Sequence, residues 1–470
     1  MAFSERLSAL DASFLEIEGP GSHMHVGAVL VLDAAPLRAD AGGLDYERIV
    51  SMVALRIHDF PRYRQRLAWI PVEHHPAWVD DRDFNLHYHV RHTALPAPGS
   101  VRQLKRLAGR IMSQQLDRGK PLWEMWIVEG LEGGRFAVIA KVHHCMVDGV
   151  SGVDLLAALL RPEPCADVET PPDWRPRPAP SGAELLARDL ARRALAPWQL
   201  LGSAVRAVRE PAHALESVRQ GAGAVAQVLG AGLRSASETP LNPESIGPHR
   251  RFDWVRFDLA RVRELAHAFG GTVNDVVLAT VTGAVRSFLK ARGVPGVPQL
   301  DFRVMVPVST RSRAERGRLG NRVSQIVMPL PLSEADPVRR FQRMIRTTAR
   351  MKASGQALGA ELIETFGDWI MPSLVAQSQR LQSRMRPYNL VVTNVPGPGV
   401  PLFLLEAPLL EIYPVVPLFR NQALGVALFG YHDGLFWGVN SDWDRVADLH
   451  DFVEGLVRSF DELAKGAESA

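Results

Sequence analysis

Two histidines stand side by side in FAVIAKVHHCMVDGVSGVDLLAALL, residues 136–160, a setting that suits proton transfer. Successive strand side chains face opposite ways. Phe136, Val138, Ala140, Val142 and His144 therefore share one face, and Ala137, Ile139, Lys141 and His143 the other. Two histidines facing apart do not hold one metal ion between them. His144 lies at the strand end, before the tight turn Asp148-Gly149, where a side chain can reach a cleft. An imidazole with its ordinary pKa of about 6.5 can act there as a general base. Asp148, beyond the turn, is placed to stiffen the loop rather than to act on substrate. Cys145 falls on the opposite side of the strand from His144, which argues against a thiol nucleophile. Ser151 and Asp154 have capping-box spacing for a helix ending near Leu160.

The elements that position this stretch alternate between strand-like and helix-like. In the first half, Val26–Leu32 and Phe84–His92 predict strands, and Tyr46–Arg56 and Val101–Leu116 predict helices. Met125–Leu131 and Arg135–His144 flank Glu132-Gly133-Gly134, a hairpin signature. Prolines crowd residues 162–181, which read as an extended linker, and residues 181–236 have helical spacing with an excess of arginine. In the second half, Leu259–Phe269 and Val273–Ala291 predict helices broken at Gly270-Gly271. Arg303–Val308 and Asn389–Thr393 predict strands, and Ala423–Tyr431 and Leu435–Asn440 a second hairpin. Both halves hold a hairpin, an acidic turn and a helix. The expected division is residues 1–165, a connector over 166–250, and 251–470.

Composition narrows the class. The chain has 470 residues, 46% hydrophobic and 22% charged, which excludes whole-chain disorder. A net charge of +3 does not mark a nucleic-acid binder. Two cysteines, Cys145 and Cys165, cannot build a disulfide framework or a cysteine zinc site, so a reducing cytosol is the expected compartment. Glu5, Arg6 and Asp11 interrupt any signal-peptide core. No run of 18 apolar residues predicts a membrane-spanning helix; Val400–Phe419 comes nearest but carries four prolines and two glutamates.

The string His143-His144-x-x-x-Asp148-Gly149 resembles the signature of the CoA-dependent acyltransferase superfamily, which includes chloramphenicol acetyltransferase and peptide-synthetase condensation domains. The opening LSALDASFLEIEGPGSHMHVGAVLVLD, Pro121-Leu122-Trp123-Glu124, Asn274-Asp275, and PVSTRSR, LGNRVS and VVTNVPGP narrow the likeness. Together they resemble the bacterial wax ester synthase/diacylglycerol acyltransferase family from about Leu7 to Glu462. The resemblance implies an α/β (α+β) fold of two chloramphenicol-acetyltransferase-like domains, with mixed sheets flanked by helices and an interdomain active-site tunnel. It implies transfer of a long-chain acyl group from acyl-CoA to diacylglycerol or a fatty alcohol, with no bound cofactor or metal and no nucleic-acid partner. His144 corresponds to the catalytic base, and Asp148 to a residue that salt-bridges an arginine. A cytoplasmic protein, peripheral on the inner membrane or on lipid droplets, is the expectation that goes with such substrates. Other readings are an acyltransferase for a different alcohol or an amine, or a lipid-binding protein without catalysis.

The supporting residues keep two readings each. His143, Gly149, Asn274 and Asp275 support the site in the family reading. Thr272 to Asp275 is also capping-box spacing, so Asp275 serves equally as a helix cap, and Asn274 is a candidate for stabilising the oxyanion. Trp123 reads as packing before substrate contact. His87 and His89 in HYHVRH would share a strand face and could hold a metal only with a third ligand. Arg311, Arg313 and Arg316 crowd a short basic stretch. They are either a solvated face or the phosphate-binding entrance for CoA, and Arg311 is alternatively the partner of Asp148.

Overall fold

Near-continuous apolar runs from His25 to Asp33 and from Arg135 to His143 produce the strands on which the rest of the first lobe is assembled. The computed structural model describes residues 2–40, 42–146, 154–166, 169–192, 235–309, 323–353 and 386–468. The strands are β1 (Glu5–Arg6), β2 (His25–Asp33), β3 (Gln65–Trp69), β4 (Pro76–Asp80), β5 (Val90–Ala94), β6 (Trp123–Leu131), β7 (Arg135–His143) and β8 (Leu160–Arg161) in the first half. The second half adds β9 (Arg250–Asp258), β10 (Arg303–Ser309), β11 (Val323–Pro329), β12 (Leu390–Pro396), β13 (Phe403–Leu404), β14 (Ala407–Val415), β15 (Leu424–Tyr431) and β16 (Gly434–Asp442).

They form two large mixed sheets, ordered β5-β6-β7-β2-β14-β13-β8 and β11-β10-β12-β15-β16-β9, and a small sheet β1-β4-β3. Each large sheet is the floor of its own apolar core. The β6–β7 hairpin turns at Gly133 and Gly134, whose φ angles of 76° and 69° favour glycine. The first lobe takes β13 and β14 from the second half of the chain: β14 pairs antiparallel with β2, and β13 pairs with β8. The sheets therefore do not separate along the halves of the sequence.

Helices cover the sheets. Val101–Met112 starts at a capping box between Ser100 and Gln103 and buries Leu104, Ala108 and Ile111. It ends at Met112, where Ser113 caps it, rather than at Leu116. In the second lobe, Val273–Ala291 packs among Leu259–Ala268, Pro337–Ala353 and Leu449–Glu468. Phe288 meets Phe452 edge to face at 5.4 Å. Among the described residues no single helix is long and apolar enough to cross a membrane.

The lobes are clamped together. Lys105 pairs with Asp253 and sits 4.8 Å above the ring of Trp254, which stacks on Tyr413 at 4.7 Å. Arg250 donates from Nη2 to Gly21 O at 2.5 Å.

One sequence expectation is corrected and another is refined. Phe84–His92 is not one strand: Asn85 caps a short helix, Leu86–His89, and β5 follows. The asparagine accepts from His87 N and starts a turn where alternation predicted extension. The described residues of 162–181 contain no helix or strand, as an extended linker would, and they are docked onto the first lobe. Arg177 holds the buried Asp80 through its backbone N, Nε and Nη2, and Pro178 O accepts from Phe3 N. Residues 182–192 are helical, and the rest of the 181–236 expectation lies outside the described residues.

Where β16 crosses β14, a side chain on Gly438 would place its Cβ 1.9 Å from Pro414 O, a backbone atom that cannot swing away. Gly438→Ala is expected to force the lobes apart at a cost of at least about 1–3 kcal/mol. Thermal unfolding checks it, with a clear fall in Tm as the expected result.

Candidate active site

β7 delivers His143 and then stops. His144, Cys145 and Met146 form a single 3-10 turn. Two backbone hydrogen bonds pin the approach: His143 N donates to Leu122 O at 2.9 Å, and His144 N donates to Met24 O at 2.7 Å. Leu122 belongs to the Pro-Leu-Trp segment, so that motif holds the histidine turn through its backbone. Trp123 is packing: it is buried, donates from Nε1 to Tyr63 O at 2.8 Å and stacks on His89 at 4.7 Å.

The strand does not continue through His144, so strand alternation does not set its direction, and the two histidines meet different partners. His144 stacks on Phe14 with ring centroids 4.0 Å apart and an interplanar angle of 29°. Its Nδ1 is buried with no partner among the described residues. Burial, chiefly, pushes its pKa down to about 4. At neutral pH the imidazole therefore carries no charge and can accept a proton.

His143 turns inward to a buried polar cluster. Cys145 N donates to its Nδ1 at 3.2 Å, so Nδ1 is the acceptor and Nε2 carries the ring proton. Nε2 faces Glu18 Oε2 at 3.6 Å. Glu18 Oε2 also accepts from Arg118 Nε at 3.1 Å and Nη2 at 2.6 Å, and Arg118 Nη2 donates to Leu15 O. Burial alone would raise the Glu18 carboxyl. The proximity of His143 and Arg118 outweighs burial and holds it far below the usual carboxylate range. His25, opposite His143 in the β2–β7 register, accepts from Leu116 N through Nε2 at 3.4 Å and is therefore neutral. Burial, chiefly, pushes its pKa well below the ordinary value.

Cys145 lies with its Sγ 3.0 Å from His143 Nδ1, on the side away from His144. Burial pushes its thiol pKa well above the ordinary value, so it stays protonated and is not a nucleophile. Lys141, on the His143 face, is fully buried and donates to Ile111 O and Gln114 O at 3.1 and 3.0 Å. These are carbonyls at the end of the Val101–Met112 helix, where a cation is favoured.

Asp275 is a helix cap. It is N3 of the helix Val273–Ala291, in a reciprocal capping box with Thr272, and Thr348 Oγ1 donates to its Oδ1 at 2.6 Å. Asn274, beside it, is half-buried with no hydrogen bond to its amide among the described residues. The recorded partners of this pair lie in the second lobe, and none is a residue of the histidine motif. Asp148, Gly149, Arg311, Arg313 and Arg316 lie outside the described residues.

The histidine-rich metal reading fails at His89. The ring is buried between Phe84 and Trp123, its Nδ1 is 2.8 Å from Trp123 O, and burial pushes its pKa down to about 4. His87 is exposed on the short helix instead. No group of ligands that could hold a metal is found among the described residues.

Phe14, Glu18, His25 and Arg118 were not legible as site residues. A signal existed: Phe14 and Glu18 are four apart on one helix face, and Glu18 caps the C-terminus of Ala9–Ile17. An acid is unfavourable at a helix C-terminus unless something else holds it.

The family model described as the wax ester synthase/diacylglycerol acyltransferase catalytic domain matches residues 7–277, and that of the WS/DGAT C-terminal domain matches residues 319–464. A relative in Mycobacterium tuberculosis (strain H37Rv), named as a probable diacylglycerol O-acyltransferase, is 33% identical over 468 residues, covering 96% of this chain and 94% of its own. Among solved structures, the wax ester synthase/diacylglycerol acyltransferase of Marinobacter aquaeolei VT8 matches with a TM-score of 0.70 at 25% identity, over 99% of this chain and 100% of that one. The starter condensation domain of rhizomide synthetase shares the fold, with a TM-score of 0.58 at 13% identity over 99% and 94% of the two chains.

Two outcomes are expected of the site. Glu18→Gln removes the charge that faces Arg118 and His143. It should lower kcat about tenfold or more with little change in KM. The loss of stability should be about 1–3 kcal/mol, toward the low end because Arg118 is one-third exposed. Steady-state kinetics and melting curves check both. In the second, His144 sits at about 4 folded and about 6.5 unfolded. Between those values the unfolded chain binds more protons, so this histidine's contribution to stability is complete above pH 6.5 and is lost as pH falls toward 4. The acid limb of kcat/KM should likewise lie near pH 4, read from initial rates between pH 3.5 and 8.

Proposed function

The chain belongs to the wax ester synthase/diacylglycerol acyltransferase family, and on that footing we propose that it moves a long-chain acyl group from acyl-CoA to the hydroxyl of diacylglycerol. The observation that carries this reading is the neutral His144 imidazole, stacked on Phe14 and with its backbone pinned to Met24. An alcohol is far too weak an acid to ionise alone at neutral pH. As its oxygen attacks the thioester carbonyl, His144 takes the hydroxyl proton, and the new C–O bond forms a tetrahedral intermediate. Collapse breaks the C–S bond. The imidazolium returns the proton to the departing thiolate, giving the ester and free CoA. No proton is gained or lost overall, so a single base that recovers its neutral form is sufficient. The phenyl ring of Phe14 backs the imidazole and limits its rotation. Asn274, at the start of the second-lobe helix, supplies an unengaged amide as the proposed oxyanion donor.

Fatty alcohols present the same hydroxyl, so wax ester formation is the second reaction of this site; the family's name supports it. Arg311, Arg313 and Arg316 are proposed to meet the CoA phosphates. Because the acceptors are lipids, the protein is proposed to work at the inner membrane or on lipid droplets, from the cytoplasm.

Palmitoyl-CoA with diolein, and separately with hexadecanol, followed by lipid analysis, tests the reading. Triacylglycerol from the first incubation is the expected product, and His144→Ala should lower its rate by about 10²–10⁴-fold, the usual worth of a general base. Absence of ester with both acceptors would refute the proposal.

A further inference from the structure

From Pro387 to Leu405 the chain carries no charged residue, and within that run Val395–Pro401 lies at the surface. Val395 is 47% exposed, Val400 49%, and Leu410 on β14 is 42% exposed; Pro396, Pro398, Gly399 and Pro401 are exposed as well. Contiguous exposed apolar residues on an ordered segment mark a surface that something apolar covers. The segment is held in place: Leu402 N donates to Tyr431 Oη at 2.8 Å, and His432 N donates to Pro398 O at 3.0 Å. Val395 and Pro396 are still paired with β15.

Its location is equally specific. The segment leaves β12 in the second-lobe sheet and enters β13 in the first-lobe sheet, so it crosses between the lobes. β13 pairs with β8, which directly follows the helix Asp154–Leu159 behind the histidine motif.

We infer that Val395–Pro401 is the lipid-docking edge of the enzyme, the surface that enters the interface of a phospholipid bilayer holding the acceptor. This rests on the acyltransfer reading, since it is the lipid acceptor that makes such an edge necessary. Three features favour a bilayer over a protein partner. Prolines at 396, 398 and 401 carry no N–H, and Leu402 N–H is already bonded to Tyr431, so few backbone donors are left unsatisfied on entering hydrocarbon. Those same prolines leave little strand-pairing capacity for another chain. The charges at the rim are already paired: Arg256 with Asp433 at 2.8 Å on one side and Arg48 with Glu406 at 2.8 Å on the other. A rim of matched charges suits zwitterionic headgroups and needs no anionic lipid.

The test is flotation of the full chain with phosphatidylcholine vesicles containing diolein. It compares wild type, the double variant Val395→Asp/Val400→Asp, and Val72→Asp at an exposed hairpin tip elsewhere. The wild type and Val72→Asp should float, with little change between 50 and 500 mM salt (about 14 to 4 Å of Debye length), and the double variant at least tenfold less. Transfer to vesicle-borne diolein should fall in step, while Tm and the KM for acyl-CoA stay unchanged. Equal flotation of the double variant, or loss of flotation in Val72→Asp instead, overturns the inference. So does a wild-type dimer that the double variant loses without any change in flotation, which would make the segment a protein interface. Flotation is read without turnover: a chain that floats as expected but forms no ester with any acceptor refutes the acyltransfer reading alone.

Discussion

A carboxylate with almost no solvent contact, Glu18, is the group on which the site's geometry depends. A buried anion is sustainable only with matching partners, and here they are Arg118, two hydrogen bonds to one oxygen, and the Nε2 edge of His143. The third member relays the constraint. His143 holds the amide of Cys145, and the turn containing that amide presents His144. The charge cluster meets His143, while His144 stacks on Phe14, so the base has an aromatic neighbour and its support is polar and fixed.

That separation decides the chemistry. Had the carboxylate faced His144 directly, it would have favoured the imidazolium and raised the ring's pKa. Burial without a counter-ion does the reverse and keeps the ring neutral. The same cluster secures the lobe: Arg118 ties back to Leu15, and β2 carries His25 beside His143 while pairing with both β7 and β14. The catalytic turn thus sits where a strand from the second half of the chain completes the first-lobe sheet.

The parts legible in the sequence were those with local periodicity. Apolar runs located β2 and β7, although β7 stops at His143, one residue before the expected end; the helix over Tyr46–Arg56 and the cap at Asp275 followed from spacing and polar end residues. Leu86–His89 was misread because one Asn cap overrode an alternating pattern. The insertion of β14 beside β2 had no local signature, since pairing between residues nearly 400 positions apart leaves only an apolar run in the sequence. Glu18 escaped because a lone acid near a helix end resembles any surface residue until its partner, 100 positions away, is in place. The roles of Asp148 and of Arg311, Arg313 and Arg316 rest on the motif and on charge alone.

The most direct test of this arrangement is the tautomer of His143, read by ¹⁵N NMR of histidine-labelled protein at pH 8. A ring that accepts the Cys145 amide on Nδ1 and points its proton at Glu18 must be the Nε2–H tautomer, with Nδ1 giving the shift of an unprotonated nitrogen. An Nδ1–H tautomer at His143 would mean that neither the amide nor the carboxylate orients the ring, and would contradict the account.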